Sequence, residues 1–68
     1  MSTYSKVKQT LINLEGAKAT MDIYAKLAQE ESIRKNFERH AQKLEVVIKL
    51  LKERVQTMER EEPEYKGI

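Results

Sequence analysis

Seven residues in the second half of the chain, Phe37, Ala41, Leu44, Ile48, Leu51, Val55 and Met58, follow one another at alternating intervals of four and three. That alternation is the seam of a helix lying against other helices, because a period of 3.5 keeps every member on one side. A chain of 68 residues has little else with which to cover such a seam. It sits near the size at which a core is marginal without a disulfide, a metal or a partner subunit. The chain has no Cys and a single His, so no cross-link, metal site or cofactor is expected. Oligomerisation is the remaining support, and a homo-oligomer, with a dimer favoured, is the expected state.

The first half carries a second pattern. Between Thr3 and Ala28 there is no Pro and one Gly, Gly16. Val7, Leu11, Leu14, Ala17, Met21, Tyr24, Ala25 and Ala28 fall on one side at helical spacing. A thinner stripe of Ile12, Gly16, Ala19, Ile23 and Leu27 falls roughly opposite. A helix apolar on two sides is not satisfied by one partner helix, so this second stripe is the expected interface between subunits. Gly16 weakens the helix by about 1 kcal/mol relative to Ala, and in exchange lets another backbone come close.

Apolar periodicity lapses at Gln29–Ser32 and resumes in a different phase. The reading is one domain over residues 1–68: a helix over about 3–28, a loop over about 29–31, a helix over about 31–61 and a tail over 62–68. Ser2 or Thr3 is placed to cap the first helix and Ser32 the second. Pro63 ends the second helix, because the residue before a proline disfavours the helical conformation. The short loop makes the helices antiparallel neighbours. Pairing through it sets Leu11 near Ile48, Leu14 near Val46 and Tyr24 near Phe37. The fold class is therefore all-α, an antiparallel two-helix hairpin that self-associates into a four-helix bundle. Its core seam is formed by Leu11, Leu14, Met21, Phe37, Leu44, Ile48, Leu51 and Val55.

Composition excludes some functions and leaves others open. No apolar run approaches the ~20 residues needed to span a bilayer, and the polar stretch Met1–Gln9 has no signal-peptide core, so a cytoplasmic location is expected. A net charge of +2 is mild, and solubility explains it as well as a partner does. The second helix is locally basic, with Arg34, Lys35, Arg39, Lys43, Lys49, Lys52 and Arg54 against Glu38, Glu45 and Glu53. These cations do not form one stripe and no aromatics interleave them, so nucleic acid is not an expected partner. Peripheral contact with an anionic membrane surface is the weaker alternative to a solvated face.

Few residues suggest chemistry. The residue three before His40 is Phe37, so the Glu-x-x-His pattern of di-iron bundles is absent, and His40 reads as a residue at the edge of the core. Lys18 interrupts the first seam where Leu would be expected. Asp22, one turn on, offers it a partner, and His40 lies level with it across the hairpin. Lys18, Asp22 and His40 are the one candidate polar site, with a snorkelling Lys18 as the plainer reading. Tyr65 in the tail is a candidate contact residue, since Tyr anchors interfaces; the competing reading folds the tail onto its own hairpin. No nucleophile, glycine-rich loop or catalytic carboxylate pair stands out, and no enzymatic activity is expected.

The segments Val7-Lys8-Gln9-Thr10-Leu11 and Glu61-Glu62-Pro63-Glu64-Tyr65 resemble one small family, a domain of unknown function found in spore-forming Bacilli and Clostridia and often encoded beside the stage V sporulation A proteins. Leu14-Glu15, Tyr24-Ala25, Phe37 and Ala41-Gln42 fit as well, so the resemblance runs from about Ser5 to Lys66. His40 and Lys43 depart from it. The resemblance implies a context rather than a chemistry: spore formation or germination, a protein partner in a spore membrane complex, and a forespore or spore interior as the site of action. The function expected is that of a non-enzymatic interaction module. The alternatives are an anionic-lipid adaptor near a spore membrane channel, or a bundle with a small-ligand cavity near Lys18 and His40.

Overall fold

The computed structural model describes residues 2–67; Met1 and Ile68 of the expected domain lie outside them. Two helices, α1 (Thr3–Leu27) and α2 (Glu31–Glu61), are followed by a 3-10 turn over Pro63–Gly67. α1 and α2 pack against each other, and the molecule is a rod of 48 × 17 × 15 Å. Its thin dimensions are those of two helices side by side.

Local chemistry sets each boundary. Ser2 is extended and its hydroxyl accepts the Ser5 amide at 3.1 Å, capping α1 as expected. Three residues, Ala28, Gln29 and Glu30, make the connection. Ala28 and Glu30 are both extended, and no residue of the connection takes a positive φ. The start of α2 corrects the sequence reading. Glu30, not Ser32, is the N-cap, and it makes no side-chain capping bond. Support comes instead from Glu31 in the first turn, a carboxylate at the positive end of the helix. Lys35 reaches it at 3.3 Å and Arg34 at 4.0 Å. α2 stops at Glu61, two residues before Pro63, with Glu62 non-helical.

The seams interlock as heptads. In α1 and at its C-cap the inward residues are Tyr4, Val7, Leu11, Leu14, Lys18, Met21, Ala25 and Ala28. In α2 they are Arg34, Phe37, Ala41, Leu44, Ile48, Leu51, Val55 and Met58. Every one is buried or half-buried. The main cluster joins Tyr4, Leu11, Ile48, Val55 and Met58, with Val7, Leu14, Leu44, Leu51 and Tyr65 packed on it. One of the expected pairings is a direct contact: the rings of Tyr24 and Phe37 lie 5.6 Å apart. Leu11 and Ile48 belong to the same cluster, but the register of the ion pairs sets Leu11 nearer Leu51 and Val55. The pairing of Leu14 with Val46 does not hold. Val46 is 60% exposed, because the phase set by Leu44 and Ile48 turns the residue between them outward. Ion pairs from Lys18 to Glu45 and from Glu15 to Lys52 fix the register, which puts Leu14 level with Ile48 and Leu51.

Candidate functional site

At the open end of the hairpin the chain closes on itself. Tyr4 is 1% exposed. Its hydroxyl donates to the Glu59 carboxylate at 2.7 Å, and its ring stacks on Tyr65 with centroids 4.3 Å apart and planes 7° from parallel. The 3-10 turn makes this contact by carrying Tyr65 back across the end of α2, held by the hydrogen bond its backbone N–H donates to the Glu62 carbonyl. Lys8 sits 5.5 Å over the other aromatic partner, Tyr4. The bond to Glu59 and the loss of water push the Tyr4 phenol above its ordinary value of 10.0, since both disfavour the phenolate. Tyr65, a candidate contact for another protein with a folded-back tail as the competing reading, is engaged within its own chain.

Midway along the rod, Lys18 behaves as a seam residue with a charged tip. Its ammonium donates to Asp22 at 2.9 Å and lies 3.7 Å from Glu45 of α2. The bond to Asp22 holds it above its ordinary value of 10.5, with Glu45 adding to the effect and partial burial opposing it. His40 is not brought to this group. It is exposed, and its Nδ1 lies 2.9 Å from the Asn36 carbonyl of its own helix. A heptad explains why: His40 precedes the seam residue Ala41 and so leaves on one side, while Asp22 and Glu45 follow the seam residues Met21 and Leu44 and leave on the other. The candidate polar site is therefore Lys18, Asp22 and Glu45. An open cleft toward the loop is lined by Asp22, Ala25, Lys26, Arg34 and Glu38. Among the described residues no group of three His, Cys, Asp or Glu is placed to hold a metal. No described helix is long and apolar enough to cross a membrane.

Part of the unassigned surface is apolar. Ile12, Ile23, Tyr24 and Leu27 on α1, and Ile33, Val46, Val47 and Leu50 on α2, are all large side chains left exposed. The stripe expected to join subunits lies among them: Ile12 is 57%, Ile23 56% and Leu27 70% exposed, and Gly16 and Ala19 are exposed between them. A Cβ built on Gly16 meets nothing within 4 Å. Nothing within the chain therefore requires glycine at this position.

Sequence reasoning missed Tyr4, Glu59 and Arg34. For Tyr4 the signal was available, because it stands three before Val7 and seven before Leu11, in phase with the seam. Its polar neighbours in Ser2–Gln9 hid it.

No curated protein and no solved structure matches the chain. A family model described as protein of unknown function (DUF1657) matches residues 7–55, a span that takes in most of both helices and the connection between them. The chain belongs to this family.

Proposed function

We propose that the protein is a non-enzymatic association module: a helical hairpin that dimerises through the outer stripe of α1 and acts through protein contacts. The observation that carries this reading is the exposed stripe of Ile12, Gly16, Ala19, Ile23 and Leu27. It is continuous along the helix, with a glycine at its centre that has no neighbour of its own chain to accommodate. Monomeric proteins seldom expose a contiguous apolar patch of this kind. The stripe lies opposite the seam, so the two α1 helices form the middle of a four-helix assembly and the two α2 helices flank it. Small residues at the contact let the backbones approach closely.

The resemblance of both chain ends to a family of spore-forming bacteria supports a role in spore formation or germination, inside the forespore or spore. The association module would there serve a larger protein assembly.

Gly16→Leu tests the molecular part. The open space around Gly16 means that Leu is tolerated in a single hairpin and favours the helix by propensity. Between subunits it would hold the helices apart. Sedimentation should show the variant as a helical monomer where the wild type is a dimer. An unchanged dimer with a raised melting temperature would move the interface elsewhere. The cellular part is tested by deleting the chain and measuring dipicolinic acid uptake and release by spores; unchanged kinetics would argue against it.

A further inference from the structure

The two long sides of the hairpin differ in charge in a way that selects a partner. On one side stand the residues that follow seam positions: Glu15, Asp22, Glu38, Glu45, Lys52 and Glu59. This side holds the polar links between the helices, from Tyr4 to Glu59, Lys18 to Glu45 and Lys52 to Glu15. Its charges are answered internally. The other side is made of the residues that precede the seam positions, and none of them is an Asp or a Glu. Ala17, Tyr24, Ile33, Val47 and Leu50 give it an exposed apolar strip. Lys6, Lys43 and Arg54 supply exposed cations.

We propose that this acid-free side docks an acidic amphipathic helix, which completes a three-helix arrangement. Three features select that occupant. A second copy of the same face would set Lys43 and Arg54 against like charges with no acid to answer them, and like charges across an interface suppress pairing. Two helices side by side leave a trough between them, the shape a third helix fills, and on this face α1 contributes the short side chain of Ala17 level with Val47 of α2. Finally, the strip runs from Ile33 to Leu50, about 25 Å of helix at 1.5 Å per residue, which matches a partner helix of about 17 residues. Such a partner carries apolar residues at intervals of three and four toward the trough and carboxylates on the flank that meets Lys43 and Arg54 of α2.

The test uses the full chain and a fluorescein-labelled helical peptide of about 18 residues with Leu at heptad spacing and Glu along one flank. A second peptide carries Lys in place of Glu, and phosphatidylglycerol vesicles form a third arm. The Glu peptide should bind with an affinity that falls as salt rises, and amide shifts should centre on Val47, Leu50 and Tyr24. Lys43→Glu combined with Arg54→Glu should weaken binding at least tenfold. The charge-matched pair Lys35→Glu with Lys49→Glu, away from the trough, should change it less than twofold, with circular dichroism confirming that both variants are folded. Equal binding of the Lys peptide, equal loss in the two double variants, or capture by the vesicles alone would overturn the proposal, the last in favour of a membrane surface. Gly16→Leu keeps this test separate from the dimer: it should abolish self-association and leave peptide binding intact.

Discussion

At the open end of the hairpin the seam positions are held by Tyr4, Leu11, Ile48, Val55 and Met58, all buried in one cluster and closed over by Tyr65. Toward the loop the seam positions are Lys18, Met21, Ala25, Ala28, Arg34, Phe37 and Ala41; the residues buried there are Ala25 and Ala41, and the larger Met21 and Phe37 are only half-buried. The same repeat thus yields a well-filled core at one end and a thin, partly charged one at the other. Alanine brings the helices close but buries little area, and stabilisation by burial scales with area at about 25 cal/mol per Å². An open cleft and the exposed side chains of Ile23, Tyr24, Leu27 and Ile33 accompany the thin end. The open end holds the hairpin together, and the loop end leaves apolar side chains exposed.

The largest effect should come from the filled end. Ile48→Ala should destabilise the hairpin by about 2 to 5 kcal/mol in urea unfolding, the range for a buried aliphatic truncation. Met21→Ala, at a half-buried seam position nearer the loop, should cost less than half as much. Equal losses would erase the distinction between the two ends. Leu44→Ala and Leu51→Ala, half-buried but packed on the main cluster, should fall between them.

Hydrogen exchange sharpens the same contrast without mutation. Amides of α2 between Leu44 and Met58 should be the slowest to exchange. Those between Ser32 and Arg39 should open at lower free energy, because local opening follows local burial. Uniform protection along α2 would mean that the alanine-lined half is as well anchored as the other.

A pH titration separates the ends chemically. Tyr4 and Lys18 are both held above their ordinary values of 10.0 and 10.5, so the folded state binds their protons more tightly than the unfolded chain does. Their contribution is complete below about pH 10 and is lost as pH rises through the folded values. The melting temperature should therefore fall in strong alkali, and Tyr4→Phe should flatten part of that fall while lowering stability at neutral pH. An unaltered alkaline profile in Tyr4→Phe would remove the Glu59 bond from the account. At the small end of the scale, Glu45→Ala should change stability by less than about 0.5 kcal/mol, since the carboxylate is 60% exposed and 3.7 Å from Lys18.

The two-helix architecture was legible because a heptad is a long signal repeated in both halves, and because Pro63 leaves no ambiguity about where α2 stops. Individual partners were harder to read. Ser32 carries a capping side chain, yet the turn closes two residues earlier and draws on Glu31 instead. His40 and Lys18 are level along the rod, but levels do not specify sides; that took the phase of Met21, Leu44 and Ala41. Glu45 reads as an outward residue and is one, with its carboxylate still within reach of Lys18. Tyr65 illustrates the limit most clearly, since no periodicity survives beyond Pro63 to show that a 3-10 turn returns its ring to Tyr4.

The central claim is that the apolar stripe outside the α1 seam joins two chains. Sedimentation equilibrium of the wild-type chain at about 10 to 100 µM tests it most directly. A single folded species at twice the 8.0 kDa chain mass, shifting to the chain mass in Gly16→Leu, is the result predicted. A folded wild-type monomer across that range would contradict it.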